Sequence, residues 1–118
     1  MTDLAKALAF ARECLKFEVP ERFYNEEEDR TFIMGENDDD VFEYQDTVDV
    51  HARLDQFLGK RFFIQINRGT STLFKWTVIV GLQDKSARGA HLGEARADSD
   101  DLFDAIFDAC VMAVRMDK

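Results

Sequence analysis

Six carboxylates stand within eleven residues at 36–46, ENDDDVFEYQD, and acid groups at that density invite three chemistries. They could hold a hard cation, share a proton as a general acid–base pair, or present a row of negative charge to a basic partner. Glu36, Asp38 and Asp40 have the alternate spacing that opens an EF-hand calcium loop. Such a loop needs glycine at its sixth position and a bidentate glutamate at its twelfth. Val41 and Thr47 occupy those positions, so the calcium template fails and a solvated acidic loop is the expected state. Paired carboxylates are abundant enough to allow acid–base catalysis by residue type, but no pair stands out.

The last acid group is Asp100, Asp104 and Asp108, spaced i, i+4, i+8. On a helix this spacing stacks like charges along one ridge, at a cost of a few tenths of a kcal/mol per pair. Together with Asp38, Asp39 and Asp40, the ridge could resemble a line of phosphates. These six aspartates are therefore the expected partner-binding residues, and a mimic of DNA that inhibits a nucleic-acid-binding protein is the sharper alternative. A solubility face is the plainer one.

Other site chemistries lack their residues. Zinc needs a set of Cys and His ligands, and the chain offers Cys14, Cys110, His51 and His91, widely separated. Ser71, Ser86 and Ser99 sit in no GxSxG turn. The six glycines form neither a phosphate-binding loop nor a dinucleotide fingerprint. Cys14 and Cys110 fall on apolar helical stripes, where a thiol acts as a small hydrophobe. Acidic neighbours should raise the pKa of Cys110. These observations lead to the expectation of a non-enzymatic chain, without cofactor or metal, that acts by binding another protein. A small enzyme using paired carboxylates is the second alternative, and it requires a concave pocket with convergent carboxylates or a histidine.

The elements that must carry these residues follow from periodicity. Residues 3–17 place Leu4, Leu8, Ala11 and Leu15 at helical spacing, with Thr2 or Asp3 as cap. Residues 18–46 have no steady period; RTFIM suggests a strand ended by Gly35, and VFEYQ a strand with Val41 inward and Phe42 outward. A second helix is expected from Asp46 or Thr47, through Val50, Leu54, Phe57 and Leu58, to Gly59 as its left-handed terminator. Phe62, Ile64 and Ile66, then Phe74, Trp76, Val78 and Val80, alternate as a β-hairpin, and GEARA follows as a short third strand. On the other face, Phe63, Lys75 and Thr77 would form an exposed surface, a route to a homodimer. The closing helix carries Leu102, Phe103, Ile106, Phe107, Cys110, Val111 and Val114, capped by Asp98 or Ser99.

The chain of 118 residues suits one domain spanning 1–118. The expected class is α+β: a small antiparallel sheet of three to five strands with about three helices packed on it. Net charge is −9, and residues 18–49 alone hold thirteen acidic against two basic side chains, a surplus of −11. That charge argues against direct nucleic-acid binding and for a basic partner. No apolar run is long enough to span a bilayer, and the N-terminus lacks the pattern of a signal peptide, so a cytoplasmic monomer or homodimer is expected.

The C-terminal hairpin and helix bear a resemblance. Trp76 and Val78, then Gly93, Glu94, Ala95 and Ala97, then Ala105, Ile106, Ala109 and Ala113, are similar to the phage ABA (α-β-α) sandwich domain over roughly the last forty residues. That resemblance implies a phage or prophage accessory protein with a sandwich fold, and carries no enzymatic activity or site residues.

Overall fold

Aromatic packing against one phenylalanine organises this molecule. In the computed structural model, which describes residues 4–59, 61–69, 75–84 and 90–116, Phe10 is fully buried. Its ring meets Phe42 at 6.3 Å, Phe57 at 6.1 Å and Phe107 at 4.9 Å between centroids. Those four rings come from α1 (Leu4–Glu13), β3 (Val41–Glu43), α2 (Thr47–Leu58) and α3 (Leu102–Met116). Edge and tilted contacts of this kind add to the area buried, and truncating such a ring to alanine costs about 3–5 kcal/mol.

The remaining strands are β1 (Glu21–Asn25), β2 (Arg30–Met34), β4 (Phe62–Arg68), β5 (Trp76–Asp84) and β6 (Ala90–Ser99). They form two antiparallel three-stranded sheets, ordered β1-β2-β3 and β4-β5-β6. The class is α+β as expected, with the strands divided between two sheets rather than gathered into one. Helix α3 lies across β5 and β6 and has α1 on its other side. Ala95 and Ala97 on β6, and Ala105, Ala109 and Ala113 on α3, are all buried, and small side chains let a helix and a sheet approach closely.

Several local readings change. Helix α1 stops at Glu13 because Lys16 adopts a left-handed φ of 61° and the Phe17 N–H returns to the Ala11 carbonyl at 3.0 Å. That closure swings Phe17 into the core against Phe42. Residues 1–3, including the expected caps Thr2 and Asp3, lie outside the described residues. The inward and outward faces of β3 are the reverse of those expected: Phe42 is buried and Val41 exposed. The reason is tertiary, since Phe42 is the register partner of fully buried Ile33 and also reaches Phe10.

The hairpin of β4 and β5 follows the expected alternation, with Ile64 opposite Val80 and Ile66 opposite Val78; Phe74 lies outside the described residues. Its second face is not an open surface throughout. Thr77 is buried and donates its hydroxyl hydrogen to Asp98 on β6. Phe63 lies over Gly81, its cross-strand partner, so closely that a Cβ there would sit 2.3 Å from the ring. Strand β6 runs on through Ser99, which takes Asp98 and Ser99 away from capping α3. Asp101 does this instead, accepting from the backbone N–H groups of Phe103 at 2.9 Å and Asp104 at 3.2 Å.

Candidate carboxylate site

The start of α2 is built from side-chain oxygens. After β3 the chain turns within three residues, and the Asp46 N–H donates to the Glu43 carbonyl at 3.0 Å. Asp46 has extended backbone (φ −92°, ψ 126°), and its Oδ2 accepts from the Asp49 N–H at 3.0 Å, the geometry of a helix N-cap. Asp49 Oδ2 reaches back and accepts the Glu43 N–H at 3.0 Å. Two part-buried amide donors, at a strand end and a helix start, are thereby satisfied, and both carboxylates sit where the helix dipole favours negative charge.

Glu43 completes the group. It lies mostly buried, and Arg30 on β2 donates to its Oε2 from Nε at 2.8 Å and also from Nη2. One ligand oxygen from each of Glu43, Asp46 and Asp49 lies within 4.8 Å of the others, and all three residues are half-buried. No hydrogen bond from the described residues reaches Glu43 Oε1, Asp46 Oδ1 or Asp49 Oδ1. Hard cations take carboxylate oxygens at about 2.0–2.6 Å, so oxygens within that span can share one ion. Three carboxylates and one guanidinium leave a local charge of about −2, which a divalent ion would neutralise.

The expectation of a non-enzymatic chain with no catalytic site is overturned by this cluster. Among the described residues it is the single group of three acid, Cys or His side chains so closely convergent. The calcium-like acids Glu36, Asp38 and Asp40 do not converge in this way. Asp38, Asp39 and Asp40 occupy the turn between β2 and β3, where Arg53 of α2 donates to the carbonyls of Asp39 and of Val41. Asp40 Oδ2 accepts from the Asn37 amide at 3.1 Å.

The α3 ridge is partly engaged within the molecule. Asp100 accepts the Lys75 N–H at 3.1 Å, and Asp108 pairs with Lys6 at 3.5 Å. Asp104 sits in the first turn of α3, its N–H bound by Asp101. The six expected partner-binding aspartates therefore fall apart: three on the β2–β3 turn, Asp104 and Asp108 on α3, and Asp100 ahead of the helix, so the expected three-residue helical ridge is not formed. Sequence reasoning passed over Glu43, Asp46 and Asp49, although they are spaced i, i+3, i+6. That spacing crosses a strand, a turn and a helix, and no single periodicity brings it to one point.

A recess lies on another flank of α2, away from the carboxylates. It is a cleft of about 290 Å3 between Leu54 and Leu58 of α2, Ile64 and Ile66 of β4, and Leu102 and Phe103 of α3. His51 and Asp55 stand on its rim, 3.5 Å apart and well exposed. Asp46 and Asp49 turn towards β3, whereas this cleft faces β4. Neither thiol contributes chemistry: burial pushes Cys14 up to about 12, and Cys110 is raised by burial and by the neighbouring Cys14 rather than by acids.

No protein-family model, curated protein or solved structure matches this chain. No helix among the described residues is long and apolar enough to cross a membrane.

Proposed function

We propose that this protein is a small enzyme that works through Glu43, Asp46 and Asp49, which hold a hard divalent cation for metal-assisted hydrolysis. The observation that carries the reading is the convergence within 4.8 Å of one oxygen from each of three half-buried carboxylate residues. A cation held there would polarise a substrate carbonyl and lower the pKa of a bound water. The chain's own contribution is positional. Backbone N–H donors hold Asp46 and Asp49, and Arg30 holds Glu43, so the three carboxyl groups are fixed in place before a cation arrives.

Charge narrows the substrate. The site lies in the segment of residues 18–49, whose surplus of −11 repels phosphodiesters and other anions. A neutral or cationic ester or amide is the class that this field admits.

The test is titration calorimetry with calcium, magnesium and manganese chlorides, followed by turnover of neutral and cationic chromogenic esters and amides. Saturable binding with Kd of about 10⁻³ M or tighter is expected, as for weak extracellular carboxylate sites. It should be lost in Asp49→Asn, and hydrolysis should be cation-dependent and stopped by chelator. Absence of saturable binding overturns the reading, as does a bound cation without cation-dependent turnover.

A further inference from the structure

The outer face of the first sheet carries an apolar feature separate from the cleft beside α2. The strand registers place Phe23 beside Phe32, and Met34 beside both Glu21 and Val41. Ile33 and Phe42 point the other way, into the core. Phe23, Phe32, Met34 and Val41 therefore form one continuous apolar strip facing outwards. Phe23 is 49%, Met34 39% and Val41 36% exposed. A hollow of about 350 Å3 opens beside the strip, lined by Val19, Phe23 and Met34 with Glu21, Arg22 and Glu36. Val19 is 67% exposed and held at φ 44°, a strained conformation for a β-branched residue.

Carboxylates frame this strip on every side. The turn at 26–29, Glu-Glu-Glu-Asp, closes one end and the turn holding Asp38, Asp39 and Asp40 closes the other. Glu21 lies along one flank and Glu43 along the other. Two of the nearby guanidiniums are committed, Arg30 to Glu43 and Glu28 while lying over the Phe32 ring, and Arg53 to the carbonyls of Asp39 and Val41; Arg22, beside the hollow, is outnumbered by the surrounding carboxylates. Exposed apolar patches with a charged rim mark protein contacts, and the rim charge selects the partner.

We propose that the outer face of β1–β3 is the docking surface for a basic segment of another protein, anchored by apolar side chains on the strip and in the hollow. Lysines and arginines flanking those anchors would meet the acid runs at both ends. A second copy of this chain fits less well, because it would bring an identical surplus of −11 against this one. The proposal does not rest on the cation-site reading: a chain that binds no cation can still have this surface.

The probe is a short synthetic peptide alternating lysine and leucine, compared with a lysine–serine peptide and a glutamate–leucine peptide. Binding is followed by backbone amide shifts of nitrogen-labelled protein at low and high salt. The lysine–leucine peptide is expected to bind, to shift residues of β1–β3, and to weaken as salt rises. The lysine–serine peptide should bind about ten-fold more weakly, as should the lysine–leucine peptide to the double variant Phe23→Ser/Met34→Ser. Met112→Gln, an exposed change on α3, should leave binding unaltered. Circular dichroism checks that the double variant is folded, and Val41→Thr serves as a milder second variant of the same strip. Equal binding of the lysine–leucine and lysine–serine peptides overturns the proposal. So does unchanged binding in both strip variants, or binding indifferent to salt. A dimer in sedimentation that the double variant abolishes would assign the face to a second copy and overturn it too.

Discussion

Arg30 on β2 donates to Glu43 on β3 from Nε at 2.8 Å and again from Nη2, so one of the three converging carboxylates carries its own fixed counter-charge. The pairing raises the pKa of the guanidinium, first through the hydrogen bond and then through the charge of Glu43. It also competes with any cation for the same group. Arg30→Gln should therefore tighten divalent-cation binding roughly three- to ten-fold, since one positive charge leaves the site. Calorimetry on the variant reads this directly; unchanged or weaker binding would place the cation elsewhere.

Asp46 has two separable duties, as helix cap and as ligand. Asn caps as well as Asp, whereas Ala does not. Asp46→Asn should hold stability within about 0.5 kcal/mol while weakening cation binding, and Asp46→Ala should lose about 1 kcal/mol as well. Urea unfolding and calorimetry on the two variants separate cap from ligand.

Phe63 rests on Gly81 across the β4–β5 ladder, and a Cβ at residue 81 would meet the ring at 2.3 Å. The ring must lift off the sheet to admit a methyl. Gly81→Ala should cost about 1–3 kcal/mol. Phe63→Leu/Gly81→Ala should cost less than the sum of the single changes, because the clash is shared. Additive losses in a double-mutant cycle would show that the two residues do not interact.

Cys14 and Cys110 are free and buried, with Cys14 raised to about 12 mainly by desolvation. The thiolate is the reactive form, so neither should be labelled by a thiol reagent at neutral pH while the chain is folded. Both should react on unfolding in urea. Labelling of the folded chain would have to proceed through local opening of α1 from α3, and its rate relative to global unfolding tells the two apart.

The parts of this fold legible from residue order are those specified by local period. Helix α3 shows its apolar face in Ile106, Phe107, Cys110, Val111 and Val114, all buried as spaced. Helix α2 shows both ends, with Asp46 accepting as cap and Gly59 at φ 48° closing it through a bond to the Asp55 carbonyl. The β4–β5 hairpin follows from period two. Strand β1 escaped notice because Glu21, Arg22, Phe23 and Tyr24 are all exposed and show no alternation. The facing of β3 escaped because Val41 and Phe42 are adjacent apolar residues, and only the positions of Ile33 and Phe10 select the inward one.

Composition and spacing by themselves determined an acidic α+β chain, its three helices, its central hairpin and the −11 surplus at 18–49. Local hydrogen bonding and side-chain period suffice for those, because each depends on residues a few positions apart. The convergence of Glu43, Asp46 and Asp49 was decided only in three dimensions. A strand end, a turn and a helix start must meet before their carboxylates do; hydrogen bonds among residues 43, 46 and 49 join them, while Phe42, packed on Phe10 from thirty-two positions away, fixes β3 against the core. The same contact turns Val41 outwards and creates the apolar strip. That aromatic pair orients β3, and no periodicity in the chain encodes it.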